Sequence, residues 1–218
     1  MYTNLLLFLV AIFLFSIASV PSSPLLPAWQ ALLLFILLLI GYNRLAVSLF
    51  ARPRAYRSAG YFQTEKQLSV LALFFFGTSL YVCDCKYYFS LLSLGKSMPA
   101  LVNFAGLMLF VFFLVIMWRA GQKNYEEIFS RKQSTPKFIL SNIKANLPIV
   151  LPWVILSLFY DIVALLPFPG LQKVMGSEWG DLLFFVFFLF FVLIFFPPLV
   201  RRLWGCKKIP DGYLKSHL

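Results

Sequence analysis

The sequence predicts an all-α integral membrane protein: a bundle of about six transmembrane helices with both termini cytoplasmic. Three observations carry that reading. Of the 218 residues, 61% are hydrophobic and only 12% charged, whereas a soluble domain is about half apolar and about a quarter charged. The apolar residues lie in continuous rather than alternating runs, which excludes a β-barrel. The basic residues gather in every second loop. With a mean hydropathy of +0.85, a water-soluble globule of this length has no core large enough for its apolar surface. Soluble enzyme, disordered tail, collagen and disulfide scaffold are therefore excluded.

A helix needs about 20 apolar residues to cross a hydrocarbon core of about 30 Å. The first candidate covers residues 4–20 and stops at Pro21-Ser22-Ser23-Pro24. No basic residue precedes it, so the n-region of a signal peptide is missing and it reads as a retained helix. The second covers 26–42 and ends before Asn43 and Arg44. The third, 68–82, is short. It meets Cys83-Asp84-Cys85-Lys86 and then a second apolar patch, Tyr87 to Leu94, which extends it or dips back into the interface. The fourth, 98–118, carries no charge. The fifth, 147–166, has Pro148 and Pro152 in its first turns and Asp161 inside. Pro148 suits a helix start, where its missing N–H would be unpaired anyway, and Pro152 predicts a kink or a late start. The sixth, 182–200, is dominated by phenylalanine on every face, as lipid contact requires, and Pro197 and Pro198 break or kink it.

Loop charge sets the orientation. Sixteen of the 19 basic residues fall after the second, fourth and sixth candidates; only Lys86, Lys96 and Lys173 fall on the other side. That asymmetry places both termini in the cytoplasm. It also explains the net charge of +11 without nucleic acid, for which no motif or stacking pattern exists. The stretch from Arg44 to Arg57 mixes Leu45, Val47, Leu49 and Phe50 with basic residues, as an interfacial helix touching anionic lipids would. Lys123 to Lys137 reads as a solvated loop with some helix. Residues 1–200 thus form the transmembrane domain and 201–218 a basic cytoplasmic tail.

The chemistry-bearing residues are few. The single histidine is His217, and there is no His-Glu-x-x-His helix, phosphate-binding glycine loop or Gly-x-Ser-x-Gly elbow. The chain therefore has no evident catalytic residue, metal site or cofactor of its own. Asp161 is the one carboxylate well inside a candidate span. A proton or cation relay competes there with a structural group that is hydrated near the interface or capped by a Tyr or Ser neighbour. Asn103 reads as interhelical hydrogen-bonding glue before a substrate ligand. Cys83 and Cys85 offer half a tetrahedral zinc site with no third ligand nearby, so a structural or incidental pair outweighs a metal or redox site.

One segment is specific. Pro197, Pro198, Arg201, Arg202 and Trp204, followed by Cys206, Pro210 and Gly212, resemble the join between membrane region and catalytic domain in bacterial membrane zinc metallopeptidases related to HtpX and the CAAX prenyl proteases. The resemblance implies a location in the inner membrane of a bacterium, crossed several times. It implies a non-catalytic membrane domain that anchors a peptidase and shapes substrate access. Zinc, its ligands and the catalytic glutamate would then belong to a downstream cytoplasmic domain, for which 201–218 is the linker. Leu214 and Leu218, four apart after the Asp211-Gly212 turn, fit a helix that continues into such a domain. The alternatives are a small transporter or channel, and a membrane scaffold without enzymatic activity.

Overall fold

The computed structural model describes residues 2–18, 20, 23–52, 57–91, 98–166, 170, 173, 177 and 179–205. Among them there is no strand. The helices are α1 (Tyr2–Ile17), α2 (Ala28–Phe50), α3 (Ser58–Tyr81), α4 (Cys85–Ser90), α5 (Pro99–Phe129), α6 (Thr135–Leu165) and α7 (Gly180–Leu203). Four are long and apolar enough to cross a membrane: α2, α5, α6 and the Leu182–Leu203 part of α7. The apolar part of α1, Leu6–Ile17, is shorter. α3 has 24 residues, but its first turns carry Gln63, Glu65, Lys66 and Gln67.

Several boundaries differ from the sequence expectation, for one physical reason. A membrane helix does not stop where its apolar run stops; its own backbone hydrogen bonds carry it on into the polar turns beyond. α6 starts at Thr135, behind Ser134 and with a proline in its first turn, so Pro148 is an interior residue and not a helix start. Nor does the helix start late, since Pro148 and Pro152 both lie inside it. α7 likewise runs through Pro197 and Pro198 to Leu203 instead of breaking there. α2 continues past Arg44 to Phe50, with Ala46 and Phe50 buried. The interfacial helix expected from Arg44 onward is thus in part the end of α2, and residues 53–56 lie outside the described residues. The polar stretch after Lys123 is helical to Phe129, turns at Ser130 in the left-handed region (φ 51°), and is helical again from Thr135.

α3 begins ten residues before Leu68 because one buried stripe runs its whole length. Tyr61, Thr64, Leu68, Ala72, Phe76 and Ser79 recur every three or four residues on one face. The hydroxyls on this helix are satisfied within it: Thr64 donates to the Gly60 carbonyl at 2.8 Å, Ser69 to Glu65 at 2.8 Å and Ser79 to Phe75 at 2.8 Å. Such back-bonding lets polar residues enter an apolar bundle without an unpaired group.

α5 is the central post, contacting α1, α2, α3, α4 and α6. Half of its apolar window is buried, against 6% for α7, which packs on α6 and turns most of its phenylalanines outward. Around α5 the core is aromatic. Phe110 takes Phe8 edge-on at 5.3 Å, and Tyr42 meets Phe113 edge-on at 5.4 Å, the arrangement the ring quadrupoles favour. Tyr42 also donates its hydroxyl to the Leu68 carbonyl at 3.1 Å. Close approach is possible because α5 has a notch at Gly121, where an added Cβ would lie 2.7 Å from the Phe50 ring.

Candidate functional site

The starts of α2 and α5 and the ends of α1, α3 and α6 are gathered at one end of the bundle by buried polar contacts. Cys83-Asp84-Cys85-Lys86 is the hub. Asp84 adopts a left-handed conformation (φ 49°), which Asp tolerates better than most residues. Its Oδ2 accepts the Leu25 N–H at 2.5 Å, ahead of α2, while its carbonyl accepts the Tyr87 N–H at 2.9 Å to start α4. Lys86 reaches the other way. Its Nζ donates to the Phe15 carbonyl at 2.7 Å and to the Ala18 carbonyl, and sits 4.7 Å from the centre of the Phe15 ring. A cation on the last carbonyls of α1 neutralises the negative end of that helix. One tetrapeptide thus fastens three helix ends.

Two free cysteines flank Asp84 here, Cys83 buried and Cys85 half-buried. Burial pushes the Cys85 thiol up to about 12, with Cys83 and Asp84 adding to it. Cys83 is also pushed up, first by burial and then by Asp84. Between them a carboxylate oxygen of Asp84 is already engaged by the Leu25 N–H. Among the described residues no group of three His, Cys, Asp or Glu side chains is placed to hold a metal ion.

Asp161 is buried at the same end, and its Oδ2 accepts the Ala100 N–H at 2.6 Å. Ala100 lies in the first turn of α5, whose N–H groups have no partner within their own helix. The carboxylate therefore caps α5 from α6 and meets the positive end of its dipole. The expected capping partner was a Tyr or Ser side chain; the group found is a backbone N–H. Asn103, one turn further along α5, does not join it. It faces a narrow gap beside Phe15, Phe76 and Trp153.

Toward the other end, α3 and α5 build a polar pocket with α6 that hydropathy does not reveal. Glu65 lines it beside Trp118. Ser69 points its hydroxyl at the Met117 sulfur at 3.4 Å, and Asn146 closes the pocket from α6 beside Leu7. The enclosed cavity is about 10 Å³, roughly the volume that one water centre needs. Below it Asn124 donates to the Phe50 carbonyl at 2.9 Å, tying α5 to the end of α2.

Of the junction residues, Pro197, Pro198, Arg201 and Arg202 form the last two turns of α7, with both arginines in its final turn. Trp204 follows as the helix cap, and Gly205 takes a positive φ of 63°. Cys206, Pro210, Gly212 and His217 lie outside the described residues.

The architecture defines a membrane-embedded helical bundle. Compared with protein-family models, with curated proteins and with solved structures, the chain finds no match in any of the three.

The sequence pointed to Asp161 but not to its partner. It missed Lys86 as a bundle residue because it was counted as loop charge, and it gave Glu65 and Asp84 no role of their own. The available signal was Asp84 and Lys86 pressed between two apolar runs, where buried charge needs partners.

Proposed function

We propose that this chain is the non-catalytic membrane domain of a membrane-anchored zinc metallopeptidase related to HtpX and the CAAX prenyl proteases. It anchors the peptidase at the inner membrane of a bacterium and shapes the access of its substrates. In this reading the chain crosses the bilayer six times, α1 and α3 joining the four longer apolar helices, and both ends are cytoplasmic. The buried stripe of α3 supports its crossing, since it holds the helix against the bundle along its whole length while Gln63, Lys66 and Gln67 stay exposed in its first turns. The zinc ligands and catalytic glutamate belong to a domain beyond Leu218.

The observation that carries the reading is the end of α7. Its lipid-facing phenylalanine helix stays helical through Pro197-Pro198 into Arg201 and Arg202, with Trp204 as its cap, so a helical rod leaves the apolar layer inside the junction motif. Arginines there anchor the rod at a lipid headgroup surface and fix where a following domain stands.

The test is the native reading frame past Leu218 together with the purified chain. Continuation into a soluble domain with His-Glu-x-x-His is expected, while the chain alone neither holds stoichiometric zinc nor cleaves peptides. A stop codon after Leu218 with no neighbouring frame encoding that motif overturns the proposal. A transporter reading needs a polar pathway through Asp161 and Asn103. The bond from Asp161 to Ala100 supports a structural role instead, and unchanged solute flux in vesicles carrying Asp161→Asn is the corresponding expectation.

A further inference from the structure

Beside the Asp84–Lys86 hub, α2, α4 and α5 enclose a cleft of about 350 Å³ lined by Ala31, Leu32, Phe35, Cys85, Phe89 and Leu109 among others. None of its lining side chains is charged, and its hydroxyl, on Tyr88, is directed at the Leu26 carbonyl. Ala31 and Leu109 are buried at its floor, whereas Leu32 is 60% exposed at its mouth. That mouth is continuous with the outward face of α2, where Leu33, Ile36, Leu37 and Ile40 are exposed on a membrane-length apolar helix. The α4 wall is fixed in place by the Asp84, Lys86 and Tyr88 bonds, so the cleft is a standing feature and not a gap that α4 closes.

We propose that this cleft holds one acyl chain of a membrane phospholipid as a bound lipid. The dimensions fit a single leaflet. Leu109 lies ten residues into α5, about 15 Å along the axis, and half of a hydrocarbon core of about 30 Å is the same depth. An apolar void of this size left empty forfeits dispersion contacts along all its walls, and hydrocarbon is the medium at its mouth. Trp29, exposed in the first turn of α2, stands where an aromatic ring meets the headgroup layer, and the bilayer that meets the mouth of the cleft is built of esterified lipid. The two alanines on α2 leave the space that the chain occupies. The inference concerns a bound ligand and does not depend on a peptidase role.

The test uses the full chain in phosphatidylethanolamine–phosphatidylglycerol vesicles doped with phosphatidylcholine carrying a mid-chain diazirine, photolysed and mapped by peptide mass spectrometry. Adducts are expected to concentrate on Phe35, Phe89 and Leu109 and to saturate at one lipid per chain. Phe74 and Phe185, exposed on α3 and α7, are expected to take a weak, unsaturable background. Ala31→Trp, or the milder Ala28→Leu if the first does not fold, is expected to remove most label from Leu109 and leave Phe185 unchanged. Equal labelling of Leu109 and Phe185 in the unaltered chain overturns the proposal, as does a filled cleft that labels as before. Clearance of the cleft adducts by excess free oleate overturns the phospholipid assignment in favour of a free fatty acid.

Discussion

Replacing Asp161 by alanine takes the acceptor away from the Ala100 N–H and leaves a buried donor at the start of α5. An unsatisfied buried donor costs about 1–3 kcal/mol, and loss of the charge at a helix N-terminus adds to it. The expected order of thermal stability in detergent is therefore Asp161, then Asn, which keeps an acceptor oxygen, then Ala. Equal stability of all three would remove the capping role. Cys85 gives a second residue-scale expectation. Its thiol, pushed up to about 12 by burial, should alkylate about a thousand-fold more slowly at pH 8 than an ordinary exposed cysteine, because only the thiolate reacts. Iodoacetamide kinetics on folded and denatured protein check this: slow when folded, ordinary when denatured. Asp161 was visible in the sequence as a carboxylate in a hydrophobic run. What it caps was not visible, because the partner is a main-chain N–H, present at nearly every position and so without any sequence signature.

The turn between α5 and α6 shows how an element boundary is held. Glu126 Oε1 accepts from Gln122 Nε2 at 2.8 Å and from the Gln133 N–H at 3.1 Å, and Gln122 also donates to the Gln133 carbonyl. This brace encloses Ser130, which adopts a left-handed conformation that glycine takes more readily. Hydrogen bonds from Gln122 first, then from Gln133, hold the Glu126 carboxyl below its usual range. A lowered folded-state pKa means that the brace contributes fully above the ordinary glutamate value and is lost as pH falls through the lowered one. Hydrogen-exchange protection of the Gln133 amide should thus persist through mildly acidic pH and fall only below the ordinary glutamate range. In Glu126→Gln that step should disappear; a step that persists would assign the titration to another group. Helices α2, α5 and α7 were legible as apolar runs. The true starts of α3 and α6 were not, since hydropathy reports the layer a helix crosses and not the turns it adds beyond it. For α6 the signal was present in Ser134-Thr135-Pro136, a cap followed by proline in the first turn. The apolar run beginning near Leu147 masked it.

At the scale of the molecule, the contacts sort the chain into two ends. Asp84, Lys86 and Asp161 gather the ends of α1, α3 and α6 with the starts of α2 and α5. At the opposite end Asn124 meets Phe50, and Tyr125 packs on Tyr61 and Phe138, joining α5 to the end of α2 and the starts of α3 and α6. The basic links between α2 and α3 and between α5 and α6 belong to this second end, as do Arg201 and Arg202, since Phe159 and Tyr160 near the end of α6 pack on Phe184 near the start of α7. Among the described residues, the basic side chains of these links therefore collect at one end of the bundle. The proposed function requires that end, and the junction at the end of α7, to be cytoplasmic. The most direct measurement places single cysteines in a background with Cys83, Cys85 and Cys206 replaced: Ser23→Cys before α2, and Lys132→Cys between α5 and α6, both exposed. A membrane-impermeant maleimide applied to intact cells with a permeabilised outer membrane should label Ser23→Cys and spare Lys132→Cys, with the pattern reversed in inverted vesicles. Labelling of Lys132→Cys from outside intact cells would place the basic end on the wrong side and contradict the account.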